Sequence, residues 1–100
     1  MAQHIVELSA RIQWVLDTGG LSMVELAMWL GRPRPTIRTW VYDGRTPLRH
    51  VRIETERRLT VLEKLIKKRQ PHRLFSPRAN AQQRQSYMKR LIHVHLKEVP

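Results

Sequence analysis

"ELAMWLGRPRPTIRTW", from Glu25 to Trp40, sets two prolines two residues apart, each preceded by arginine, inside what otherwise reads as helix. A proline biases the residue before it away from helical geometry. Pro33 therefore keeps Arg32, and Pro35 keeps Arg34, out of a helix, and a tight turn is expected over residues 31–34. A new helix can start at Pro35, because proline fits the first helical position. Ile37, Trp40 and Val41 mark the buried side of that helix. Arg34, Arg38, Thr39 and Tyr42 fall on the other side, and Asp43-Gly44 closes it.

The helix before the turn is equally legible. Ser22 followed three residues later by Glu25 is a capping box, in which side chain and backbone satisfy each other reciprocally. Val24, Leu26, Ala27 and Leu30 follow, and Gly31 stops a helix of about nine residues. Further upstream, Ile5, Leu8, Ile12, Val15 and Leu16 keep helical spacing over 4–17, and Gly19-Gly20 ends the run. Downstream, Pro47 argues against a long element over 45–53, where a short helix and an extended segment both fit. A strong helix is predicted from about Glu54 to Arg69, with Leu59, Leu62, Leu65 and Ile66 on one stripe. Glu54 and Glu56 near its start and Lys67, Lys68 and Arg69 at its end suit the helix dipole. Pro71 and Pro77 bracket a break. Residues 79–98 read as a last helix with Tyr87, Met88, Leu91, Ile92 and Val94 as its apolar set, and with a soft, polar start. The expected fold is all-α: a small bundle of about five helices containing a helix-turn-helix, plus a C-terminal helix. The expected division is a DNA-binding unit over 1–69, a Pro-containing basic linker over 70–78 and a C-terminal helix over 79–100.

Two short helices joined by a tight turn, the second exposing arginines, form a helix-turn-helix arrangement. Leu26, Ala27, Leu30, Gly31, Ile37 and Trp40 together resemble the helix-turn-helix of phage Cro and repressor proteins. "WVYDGRTP" (Trp40 to Pro47) resembles the segment after the recognition helix in that family, and "RLTVLEKLIK" is similar to its closing helix. The resemblance covers about residues 4–68. It implies that Ala27 is the small residue where the helices cross, and that Gly31 takes the turn conformation. It also implies that Leu30, Ile37 and Trp40 lock the pair onto the core. Arg32 stands where the family is usually apolar, and Pro33 where a capping Ser or Thr is common. "LSMVELAMWLGRPRPTIRTWVYDGRTP" is also similar to excisionase-like winged domains. In those, residues 45–53 would be a β-wing.

Charge points the same way. Nineteen Lys and Arg face eight Asp and Glu, a net charge of +11, and fourteen of the nineteen are arginine. The charge is segregated: 1–31 holds only Arg11, whereas 64–97 holds ten basic residues and no acidic one. A polyanionic partner accounts for this better than solubility does. Arginine's planar fork suits phosphate and guanine edges. Arg34 and Arg38 are placed for bidentate contact with guanine O6 and N7. Thr39 is assigned to a thymine methyl or a phosphate, and Thr36 to a phosphate at the helix start. Arg32, Arg45, Arg49 and Arg52 are assigned to the backbone. The opposing reading is a solvated helix face with internal salt bridges; the nearest acids are Asp43 and Glu25.

The remaining features are weaker. Trp40 is expected in the core. Trp29 flanks the buried stripe and is compatible with an interface, and single-strand stacking is an alternative role for Trp14, Trp29 and Trp40. The run from Lys64 to Arg90 reads either as a second phosphate-binding strip or as a solvated face. Tyr87, Leu91 and Val94 are the expected dimerisation contacts, since lone helix-turn-helix units pair to span half-sites; the alternative is that this helix completes its own core. His93 and His95 are two apart and diverge on a helix, so no metal site is expected. No phosphate loop, carboxylate cluster or triad points to an enzyme. No cofactor and no small-molecule ligand are expected. No apolar run reaches membrane-spanning length, the N-terminus does not read as a secretion signal, and the lack of cysteine suits a reducing bacterial cytoplasm or nucleoid. The expectation is a sequence-specific double-stranded DNA-binding regulator, a repressor acting by occupancy as a homodimer. The alternatives are an excisionase-like architectural protein and a basic nucleic-acid-binding accessory without sequence preference.

Overall fold

The computed structural model describes residues 2–69 and 72–97. Pro71, the expected helix end at residue 98 and the side chain of Ile5 lie outside the described residues. The chain folds as α1 (Ala2–Gly19), α2 (Met23–Leu30), α3 (Arg34–Tyr42), α4 (Arg49–Lys67) and α5 (Ala81–Leu91), the last running into a π-helical turn over Ile92–Leu96. It is a small all-α bundle, with no strand among the described residues.

α2 is the hub, touching α3, α4 and α5, while α1 packs on α3 and α4. Its sequence, MVELAMWL, is apolar on nearly every side, as a helix with neighbours all round must be. Trp29 and Leu26 are fully buried. Trp29 Nε1 donates to the Arg58 carbonyl at 2.8 Å, and Arg58 Nη1 donates back to the Trp29 carbonyl at 2.9 Å. This reciprocal pair fixes α2 against α4, and it takes Trp29 away from any interface or stacking role. Arg11 of α1 grips Glu63 of α4 through two parallel hydrogen bonds of 3.0 and 2.9 Å, the planar geometry that suits a carboxylate.

The capping box at Ser22 and Glu25 forms as expected. Gly20 (φ 72°) ends α1 and Gly31 (φ 67°) ends α2, both in the left-handed region where a side chain is strained. Leu30, Ile37 and Trp40 are buried, and Ala27 is half-buried against the same core.

Three boundaries differ from expectation. α3 begins at Arg34 rather than Pro35, with Pro33 at the N-cap and no side-chain cap. The steric bias of Pro35 on Arg34 is overridden, and Pro35 sits inside the first turn, where its missing N–H is not needed. α4 begins at Arg49, not Glu54, so Pro47 is buried just ahead of the helix instead of interrupting it. Glu54 and Glu56 are consequently not in its first turn; they pair sideways with Arg52, Arg57 and Arg58. α5 does not start softly. Asn80 and Gln83 form a second capping box, with the Asn80 side chain accepting from Gln83 N at 2.8 Å.

The buried core draws on both sides of the expected division at residue 70. A single buried cluster runs from Leu8 and Ile12 through Leu59 and Ile66 to Leu74, Phe75, Met88, Leu91 and Leu96. The break at 72–79 is anchored by Leu74 and Phe75, and Leu74 N donates to the Gly19 carbonyl at 3.0 Å. Arg84 of α5 ties the C-terminal part to α2: its Nη2 lies 2.7 Å from Glu25 Oε1 and 2.6 Å from the Gly20 carbonyl.

Candidate nucleic-acid interface

α3 has two unlike faces. Ile37 and Trp40 point inward and are fully or nearly fully buried. Ser9 of α1 donates to the Val41 carbonyl at 3.1 Å, and Arg45 N and Asp43 N both bond the Thr39 carbonyl. The helix is thus held at its C-terminal end and along its inner side.

Its outer face carries Arg34 and Arg38, four residues apart and therefore stacked along one side. Both are exposed. An open groove of about 410 Å³ runs along this face, lined by Met23, Arg34, Pro35, Arg38, Thr39 and Asp43. Asp43 lines the groove, yet among the described residues neither arginine forms an ion pair with it or with any acid. The Arg38 guanidinium lies over the Tyr42 ring, 5.6 Å from its centroid, which steers it along the helix while leaving its N–H fork unused.

The other predicted contacts divide. Arg32, Arg45 and Arg49 are exposed and surround α3 in sequence, on the turn before it and the segment after it. Arg52 is half-buried and leans toward Glu56, with a long ion pair of 3.8 Å. Thr36 and Thr39 are half-buried, and the Thr39 hydroxyl donates to the Thr36 carbonyl at 2.6 Å. Thr39 therefore presents its methyl and an acceptor, but its proton is used. With prolines at 33 and 35, the N–H groups at the start of α3 reduce to those of Arg34 and Thr36.

Residues 45–53 hold no strand: the chain runs irregularly to Leu48 and then enters α4. The expected dimer contacts are also redistributed. Leu91 is buried and Tyr87 half-buried in the chain's own core, with Tyr87 accepting a hydrogen bond from Arg69 and packing edge-on against Phe75. Val94 stays exposed. Tyr42 is exposed on the outer side of α3, as its spacing predicts, and two large apolar side chains that the sequence pattern did not mark as exposed, Leu48 and Ile53, lie open on the following segment and on α4.

Among the described residues, no group of three or more His, Cys, Asp or Glu is placed to hold a metal ion. None of the described helices is long and apolar enough to cross a membrane. Comparison with protein-family models, with curated proteins and with solved structures gives no match, so the reading of this surface rests on its own geometry and charge.

Proposed function

We propose that the protein is a sequence-specific regulator that reads the major groove of double-stranded DNA with α3. The observation that carries this is the pair Arg34 and Arg38: exposed, aligned on one side of a helix locked by its opposite side, and without an acidic partner among the described residues. A helix presented this way offers its first turn and outer face to base edges. A bidentate arginine–guanine contact supplies about 1–3 kcal/mol of discrimination. Arg32, Arg45 and Arg49 then act as phosphate contacts that set register. The helix at Arg49 favours a regulator over a winged architectural protein, because the segment that would form the wing enters α4 instead. Binding as a homodimer to paired half-sites, and repression by occupancy, belong to the same proposal.

The test is selection from genomic DNA fragments near physiological ionic strength, about 0.15 M, with wild type and Arg38→Ala in parallel. An enriched palindrome that Arg38→Ala loses supports direct readout by α3. Uniform retention of all fragments by both proteins overturns it.

A further inference from the structure

We propose that Arg73, on the connection between α4 and α5, is a backbone clamp that holds a phosphate of the same duplex, flanking the base pairs read by α3. The inference rests on the DNA reading above.

The position is built, not incidental. Buried Leu74 and its hydrogen bond to the Gly19 carbonyl pin the connection to the corner between α1 and α2. Arg73 is thereby laid across Gly20, with Nη1 only 2.9 Å from where a β-carbon on that glycine would sit. From Gly20 the chain turns into α2, whose first residue, Met23, lines the groove along Arg34 and Arg38. The corner and the α3 face are thus joined through three residues of chain.

Charge at this corner does not balance. Two guanidiniums meet Gly20: Arg84 bonds its carbonyl and Arg73 covers it. Among the described residues the carboxylate paired at this corner is Glu25, and it serves Arg84: both Arg84 and the Ser22 N–H hold its Oε1 at 2.7 Å. Arg73 is exposed and has no acidic partner among the described residues, and residues 64–97 contain no acid at all. A guanidinium on a pinned stretch of backbone, with no hydrogen bond or ion pair among the described residues, fits an external anion. A duplex phosphate is the anion that a basic groove three residues away brings to it.

The experiment measures binding to the selected duplex between about 50 and 200 mM salt. Neutralising one phosphate contact lowers the slope of log K against log salt by about 0.9. Arg73→Gln is expected to show that drop, to select the same sequence as wild type, and to lose hydroxyl-radical protection at a backbone position outside the half-site. Lys64→Gln, an equal charge change in the same basic run, is expected to leave the slope alone. An unchanged slope in Arg73→Gln, an equal drop in Lys64→Gln, or tighter binding to single-stranded RNA than to duplex overturns the clamp. The two proposals fail separately. A wild type that selects no sequence breaks the base-reading proposal, and the slope on random duplex still decides Arg73. Because Arg73 is exposed, its variant is expected to unfold at the wild-type midpoint, which shows that the comparison is made on folded protein.

Discussion

α3 and α4 are both rich in arginine and use it in opposite ways. On α4, Arg57 and Arg58 share Glu54 at 2.6 and 3.1 Å, Arg52 faces Glu56, and Arg58 runs inward to the Trp29 carbonyl. On α3, Arg34 and Arg38 meet no carboxylate among the described residues. The arginines of α4 that have partners are parts of the fold. Those of α3 hold nothing together, and their charge, left uncompensated, is available to a partner. Arginine content alone does not separate the two roles; the carboxylate within reach does.

The sharpest way to break this contrast is to remove an arginine of each kind. Arg58→Ala is expected to destabilise the protein by about 3 kcal/mol, since it strands the buried Trp29 carbonyl and removes one of the two arginines on Glu54; denaturant unfolding measures it. Arg38→Ala is expected to stay within about 0.5 kcal/mol of wild type in the same assay while losing specific DNA binding. Equal losses of stability would erase the distinction. Glu25→Gln comes next. It weakens a buried acceptor shared by Arg84 and the Ser22 N–H, and about 2 kcal/mol is expected. Gly31→Ala should cost about 1–2 kcal/mol, because φ is 67° and only glycine takes that turn freely. The smallest effect is with pH. The hydrogen bond from Arg57 above all, reinforced by Arg58 and opposed by partial burial, lowers the Glu54 pKa from 4.5 to about 2. The stabilisation is therefore complete above about pH 4.5 and is lost as pH falls through about 2. Acid unfolding of Glu54→Gln is expected to be flatter than wild type across that window.

Much of this molecule is legible in its residues, for identifiable reasons. Ser22 to Glu25, Gly31 and Pro33 are local signals that local geometry obeys, whereas the bias of Pro35 on Arg34 is overridden. The inner side of α3 follows from the spacing of Ile37, Trp40 and Val41. What escaped is contact at a distance. Arg58 and Thr55 are buried polar residues in α4, and a stripe drawn through leucines passes them by. Pro47 reads as a barrier because its own backbone is restricted, yet nothing local shows that it packs inward ahead of the helix. Asn80 and Gln83 carry the same reciprocal logic as Ser22 and Glu25 but sit in a stretch with no apolar marker, so the start of α5 looks soft. At the interface, the arginines are plain from sequence. Their lack of partners is not, since it depends on where every acid in the chain comes to rest. Arg73 illustrates the extreme: only the folded corner at Gly20 distinguishes it from the other cations of the basic run.

The contact from Arg84 to Glu25 has a consequence for synthesis. Glu25 completes the cap of α2, and Arg84 reaches it across 59 residues of chain. On the ribosome, α2 and α3 emerge long before the arginine that steadies them. The corner that carries the proposed reading surface is therefore finished only once α5 has left the exit tunnel, and a chain stalled earlier carries Arg34 and Arg38 on an α2 without its Arg84 tie.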